Sequence, residues 1–240
     1  MCTFSYAQII TLEWIVDGQQ YGNTTTCEYS GDVILPTPPT KYGYTFAGWE
    51  PSDYIFLEYI EGTGQQWIDT EIVPTSTMNL YIKWTWMSTE VGWVLSGRNS
   101  FNDGVSIAGK MWMDWFGRPE DVDRYSFNTQ SNIGDMLIVS IENSILKIYK
   151  NDILLNVHSF VPTSSTIYTM FLNASNSSTK KYNAVNCINR IYHFKIDEIA
   201  DMRPAIRKSD NAVGMYDVIR QRFFENAGTG AFTPGPIINE

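Results

Sequence analysis

Asp69 and Glu71 are two carboxylates at alternating spacing, the first residues of this chain that could do chemistry. Side chains two positions apart on a strand share a face, and a retaining glycosidase holds its two carboxyl groups about 5–5.5 Å apart. The pair lies in a β-like pattern with no third carboxylate to complete such a site, so both read as exposed charges. His158 and His193 are the only histidines, one at the end of a strand-like run and one on a sheet face. Neither neighbours a serine, a cysteine or a metal-ligand cluster in sequence, which leaves no triad and no zinc site to predict. Gly228-Thr229-Gly230 lacks the lysine and the following helix of a phosphate cradle. Cys2, Cys27 and Cys187 are odd in number and widely spaced, and they read as packed thiols. A different chemistry is open to Trp112, Asp114 and Trp115 with Asn102 and Asp103. Indole faces stack on sugar rings while nearby amides and carboxylates take the hydroxyls, although the same tryptophans would also serve to fill a core. Asn102-Asp103-Gly104 and Asp121-Val122-Asp123 offer oxygen donors of the kind calcium takes, which leaves calcium open at these loops. No catalytic residue, resident metal or cofactor is predicted.

The elements that must position these residues are strands. The chain has 240 residues, 43% of them hydrophobic and 14% aromatic, a globular composition that favours strands over helices. Its formal net charge of −9 sets it against nucleic-acid phosphate, so no nucleic-acid partner is expected. No apolar run approaches the roughly 20 residues of a membrane span, and no membrane insertion is expected. The opening Met1-Cys2-Thr3-Phe4-Ser5-Tyr6 has no basic region, so no export signal is expected either.

Alternation is clearest from Met78 to Trp86, where Leu80, Ile82, Trp84 and Trp86 take one face, the pattern of an antiparallel sheet with one wet side. Leu137 to Phe160 reads as a three-stranded meander at the middle of the main sheet, turning at Glu142-Asn143-Ser144 and Asn151-Asp152, with Leu155 and Val157 inward. Ile167–Leu172 and Ile188–Ile196 read as strands, the second with Ile188, Arg190, Tyr192, Phe194 and Ile196 on one face; Asn173 to Lys181 reads as a polar loop. In Met111 to Phe116, Met111, Met113 and Trp115 alternate with Trp112, Asp114 and Phe116, and both sets are bulky. Near the start, Gln8–Val16 reads as a strand entering a hairpin at Asp17-Gly18, with Thr24–Tyr29 returning and the prolines at 36, 38 and 39 forcing an extended link.

Two stretches resemble known families. Tyr29-Ser30-Gly31, Pro36, Pro39-Thr40 and Gly43-Tyr44-Thr45-Phe46-Ala47-Gly48-Trp49 are similar to the Listeria-Bacteroides repeat, a small β-grasp-like module of bacterial and phage surface proteins. Tyr44, Phe46 and Trp49 read as its core. That family ends in a further strand, absent here or supplied by Tyr54–Leu57. Glu58 to Thr70, with Arg203-Pro204-Ala205, Val213-Gly214-Met215-Tyr216-Asp217, Phe223-Phe224 and Asn226-Ala227-Gly228-Thr229-Gly230, resembles the concanavalin A-like, laminin-G-like jelly rolls. Ile219-Arg220-Gln221-Arg222 replaces that family's Asn-Gly hairpin and predicts a differently shaped turn. The Glu-x-Asp-x-x-Glu order carried by glucanases of that fold is absent.

These readings predict an all-β chain: a small β-grasp-like module over 1–53, then an antiparallel jelly-roll β-sandwich, concanavalin A-like, over 54–240. The resemblances imply a non-enzymatic phage virion structural protein, a head or tail fibre or a capsid decoration, with a lectin-like domain for attachment or host-glycan contact at the virion surface. Its expected partners are other virion or surface proteins, host glycans and further copies of itself as a homo-oligomer. The alternative is a carbohydrate-binding adhesin module of a bacterial cell-surface protein.

Overall fold

A computed structural model describes residues 9–12, 14–16, 19–28, 35–46, 48–49, 53–88, 92–99, 104–108, 112–116, 125–126, 132–159, 165–177, 181–183 and 188–238. Every regular element among the described residues is a strand, and every strand pairing is antiparallel. The chain divides into two compact units, Met1–Pro51 and Ser52–Ile238.

The first unit contains β1 (Ile9–Leu12), β2 (Ile15–Val16), β3 (Gln19–Gln20) and β4 (Thr25–Glu28). β1 pairs with β4 and β2 with β3, so the stretch read as one strand from Gln8 to Val16 is two, interrupted at Trp14. Trp14 turns into an aromatic cluster: its ring lies 4.9 Å from that of Trp49, which Tyr21 and Phe46 also approach at 5.8 and 5.2 Å. Trp14 Nε1 donates to Thr25 Oγ1, which satisfies the polar edge of the buried indole. Tyr44 is not part of this core. It is 73% exposed and lies under the ammonium of Lys41, because the turn at Tyr42-Gly43 aims it outward while Phe46 points back.

The second unit runs β5 (Tyr54–Phe56), β6 (Ile60–Thr63), β7 (Ile68–Asp69), β8 (Leu80–Trp86), β9 (Trp93–Arg98), β10 (Gly104–Ala108), β11 (Trp112–Trp115), β12 (Tyr125–Ser126), β13 (Met136–Glu142), β14 (Ile145–Lys150), β15 (Ile153–Ser159), β16 (Phe171–Leu172), β17 (Ala174–Asn176), β18 (Lys181–Asn183), β19 (Ile188–Ile196), β20 (Ala200–Arg207), β21 (Ala212–Asp217), β22 (Arg222–Phe224) and β23 (Thr233–Pro234). The larger sheet has the order β15-β14-β13-β8-β19-β20-β21-β22, with β6 also on β19, β5 on β20 and β23 on β6. The smaller sheet has the order β12-β11-β10-β9-β16-β7. Tyr54–Phe56 therefore belongs to this unit, paired with Ala205–Arg207. Ala174–Asn176 and Lys181–Asn183 form a short ladder where the sequence predicts only a polar loop.

The two sheets pack as a sandwich over one core. Leu80, Ile82, Trp84 and Trp86 of β8 face Leu95, Ile107, Met113 and Leu172 of the smaller sheet in a single buried cluster. Complete burial of a side chain of this size stabilises by about 1.5–3 kcal/mol, so this cluster holds the layers together. The meander β13–β14–β15 forms as predicted, with left-handed backbone at Asn143-Ser144 and Asn151-Asp152, but it forms one margin of the larger sheet. The centre is β8 against β19, a pairing of strands about a hundred residues apart that local patterning cannot reveal.

Two bulges change which residues point inward. A register shift between Ile191 and His193 puts Tyr192 and His193 both outside, so Asn189 and Ile191, then Phe194 and Ile196, line the core in place of strict alternation. The shift falls where β19 changes partner from β6 to β20, and an extra residue there lets the strand bend between the two. In β15 a shift opposite Ile148/Tyr149 turns Val157 outward, 54% exposed, contrary to its expected inward place.

Candidate functional site

The tryptophan-bearing strand β11 sits in the smaller sheet between β10 and β12. Its register pairs Asp114 with Ser106, and through it Ser96 and Phe171, while Met113 pairs with Ile107 and Leu95 on the core side. Trp112 and Asp114 therefore hold positions of one parity. Trp115 holds the other, opposite the fully buried Val105. Phe116 escapes the alternation: its φ of 42° turns it into the core, where it is fully buried, and its N–H donates to Gly104 O at 2.7 Å. Asn102, Asp103 and Asp121 to Asp123 lie outside the described residues.

The register positions paired with Asp114 belong to a polar row on β9 and β10. Arg98, 7% exposed, donates from Nη1 to Ser106 Oγ at 3.3 Å, and its guanidinium stands 4.2 Å from the centre of the Trp93 ring. Ser96 is fully buried with its hydroxyl unpartnered, and Asn176 Oδ1 is also buried without a partner. An unmet buried polar atom costs about 1–3 kcal/mol, so Ser96 marks where the row still has hydrogen-bonding capacity. Sequence reading did not find Arg98, Ser96 or Ser106, because a polar residue in a short strand gives no sign that its face is covered.

The other candidates take structural roles. Asp69 Oδ1 accepts the N–H of Glu71, closing a local turn in which Glu71 has a φ of 59°. Glu71 in turn receives both terminal nitrogens of Arg222, at 2.6 and 2.7 Å. His158 stands opposite Leu146 at the sheet margin. His193 bonds Asp201 through Nε2 at 2.8 Å, and Arg203 Nε lies 3.4 Å from the same oxygen. Burial pushes the Asp201 carboxyl up, but the hydrogen bond and charge of His193, with those of Arg203, outweigh it and hold the group below the usual carboxylate range. Among the described residues no serine or cysteine bonds His193, and no three His, Cys, Asp or Glu side chains converge on a metal position.

The motif-like stretches of the sequence turn out to lock the two sheets. Asn189 of β19 donates to Asn173 Oδ1 at 2.7 Å, and Asn173 donates to Gln66 O at 2.8 Å. Gln66 itself donates to Thr229 O, while Asn226 Oδ1 accepts from the N–H groups of Trp67 and Gly228. A Cβ on Gly228 would lie 2.0 Å from Gln65 O, so only glycine lets the tail lie down there. The fully buried Asp217 accepts from the N–H groups of Asp201, Ile219 and Arg220 and pairs with the Arg220 guanidinium. Arg220 continues to Thr70 O at 2.8 Å, next to β7 in the smaller sheet. The Ile219-Arg220-Gln221 turn is thus shaped around an ion pair, closed by Gln221 at φ 51°. No family model matches the chain.

Proposed function

We propose that this chain is a non-enzymatic virion structural protein, a phage fibre or capsid decoration, whose lectin-like sandwich makes attachment contacts at the virion surface, host glycans among them. The reading is supported by one observation above the others. Among the described residues, Asp69, Glu71, His193, Asp201 and Asp217 are each held in turns, strand pairings or ion pairs, which suits a rigid attachment scaffold. The glycan contact is assigned to β11 through Trp112 and Asp114, with Trp115 of opposite parity, and with Asn102 and Asp103 as the further candidates from the sequence. Ser96 and Ser106 are buried, so a ligand would approach from the β11–β12 side of the row. Copies of the chain would associate with one another and with other virion proteins in a closed, symmetric assembly.

Peptide mass spectrometry of purified particles tests the structural role, and absence of the chain from them would refute it. A glycan array compares the parent chain with Trp112→Ala and Trp115→Ala. Loss of glycan signal in the first, with the second losing thermal stability instead, is the expected outcome. Equal binding by the parent and Trp112→Ala would remove β11 from the reading.

A further inference from the structure

The outer face of the larger sheet is unlike the rest of a chain with a net charge of −9. Lys147, Ser140, Tyr81 and Lys195 follow one another in register across β14, β13, β8 and β19, and Lys83 lies two residues from Tyr81 on the same face. Strand spacing puts Lys147 and Lys195 about 14 Å apart, with Lys83 about 7 Å to the side of Tyr81. Lysines alternating on a wet sheet face are ordinary. What distinguishes these three is that they stand unpaired around a half-buried tyrosine: Glu61 is taken by Arg190, Asp201 by His193 and Arg203, and Asp135 by Lys150, while Glu142, two residues from Ser140 on the same face, is in no ion pair with them. Lys83, Lys147 and Lys195 make no ion pair among the described residues; Lys83 lies over the ring of Tyr192, 5.6 Å from its centre. Tyr81 packs against the His193 ring at 5.3 Å, and burial followed by the charge of Asp152 raises its hydroxyl above the usual range, so it is a neutral donor at neutral pH.

We propose that this face, floored by Tyr81 and ringed by Lys83, Lys147 and Lys195, binds an acidic saccharide. The half-buried tyrosine ring offers a surface for sugar C–H groups, and the lysines stand at separations suited to carboxylates carried on successive or alternate sugars. Duplex nucleic acid fits less well, since its charges, one per about 1.7 Å, are far denser than three lysines spread over about 14 Å can meet. The site lies on the other sheet from Trp112 and does not depend on the glycan contact assigned there.

Polygalacturonate, with neutral dextran and duplex DNA as comparisons, is titrated against the whole protein by biolayer interferometry at about 0.15 M salt. The expected result is binding to polygalacturonate alone, weakened by added salt, and at least about tenfold weaker in Lys83→Gln/Lys147→Gln/Lys195→Gln. Circular dichroism checks the fold of that variant, and Lys147→Glu alone is expected to weaken binding in the same direction. No binding to polygalacturonate, equal binding to dextran or DNA, or affinity unchanged in both variants would each overturn the proposal.

Discussion

Asp217 is a fully buried carboxylate whose oxygens are all engaged, and changing it would disturb more of the molecule than its place beside a turn suggests. Asp217→Asn keeps the shape but leaves the Arg220 guanidinium without its charge partner and weakens the hold on Thr70 O. A loss of about 2–4 kcal/mol is expected, because removing one member of a buried pair strands the other. Urea denaturation measures it, and an unchanged midpoint would show that the turn, and not the ion pair, ties the sheets. At this scale the sequence was legible where backbone geometry restricts residue type. Asn151-Asp152 read as a turn of residues that tolerate left-handed backbone, and both adopt it. Tyr44 and Arg98 were not legible, since one motif aromatic is 73% exposed and one arginine 7% exposed, a difference set by what passes over each.

Strands were read well where alternation ran unbroken, as in β8, and misread where one extra residue reset it, as in β19 and β15. A bulge shifts every later side chain to the other face, and nothing in the residues near Tyr192 or Leu155 announces one. In β15 the result is an edge strand with Ile153, Leu154 and Val157 exposed at 68, 48 and 54%. Exposed apolar edges template pairing with another chain. Val157→Lys is expected to lower concentration-dependent association in sedimentation velocity while changing stability by no more than about 0.5 kcal/mol. Equal sedimentation of parent and variant would show that this edge does not associate.

For the whole molecule, charge sets how stability follows pH. Asp201 and Asp135 sit below the usual carboxylate range although burial pushes each up, Asp135 because Lys150, the N–H of Asn132 and Asn151 bond it. Asp210, bonded by Arg207 and the N–H of Ala212, is lowered to about 2. Carboxylates with depressed values stabilise the fold above the unfolded value of about 3.9, and that contribution is lost as pH falls through the folded values. Scanning calorimetry should therefore show a thermal midpoint that is flat above about pH 5 and falls below about pH 4, with Asp201→Asn showing a shallower fall. A midpoint that rose on acidification would contradict the ion-pair assignments. By itself the sequence determined the class of the fold, since period-two patterning, aromatic content and turn residues at Asn143-Ser144 and Asn151-Asp152 depend only on near neighbours. The tertiary structure alone decided that β8 lies against β19, that Asn189, Asn173 and Gln66 join the layers, and that three lysines share one face around Tyr81. Each of these brings together residues far apart in the chain, and local patterning carries no record of which distant strand lies alongside.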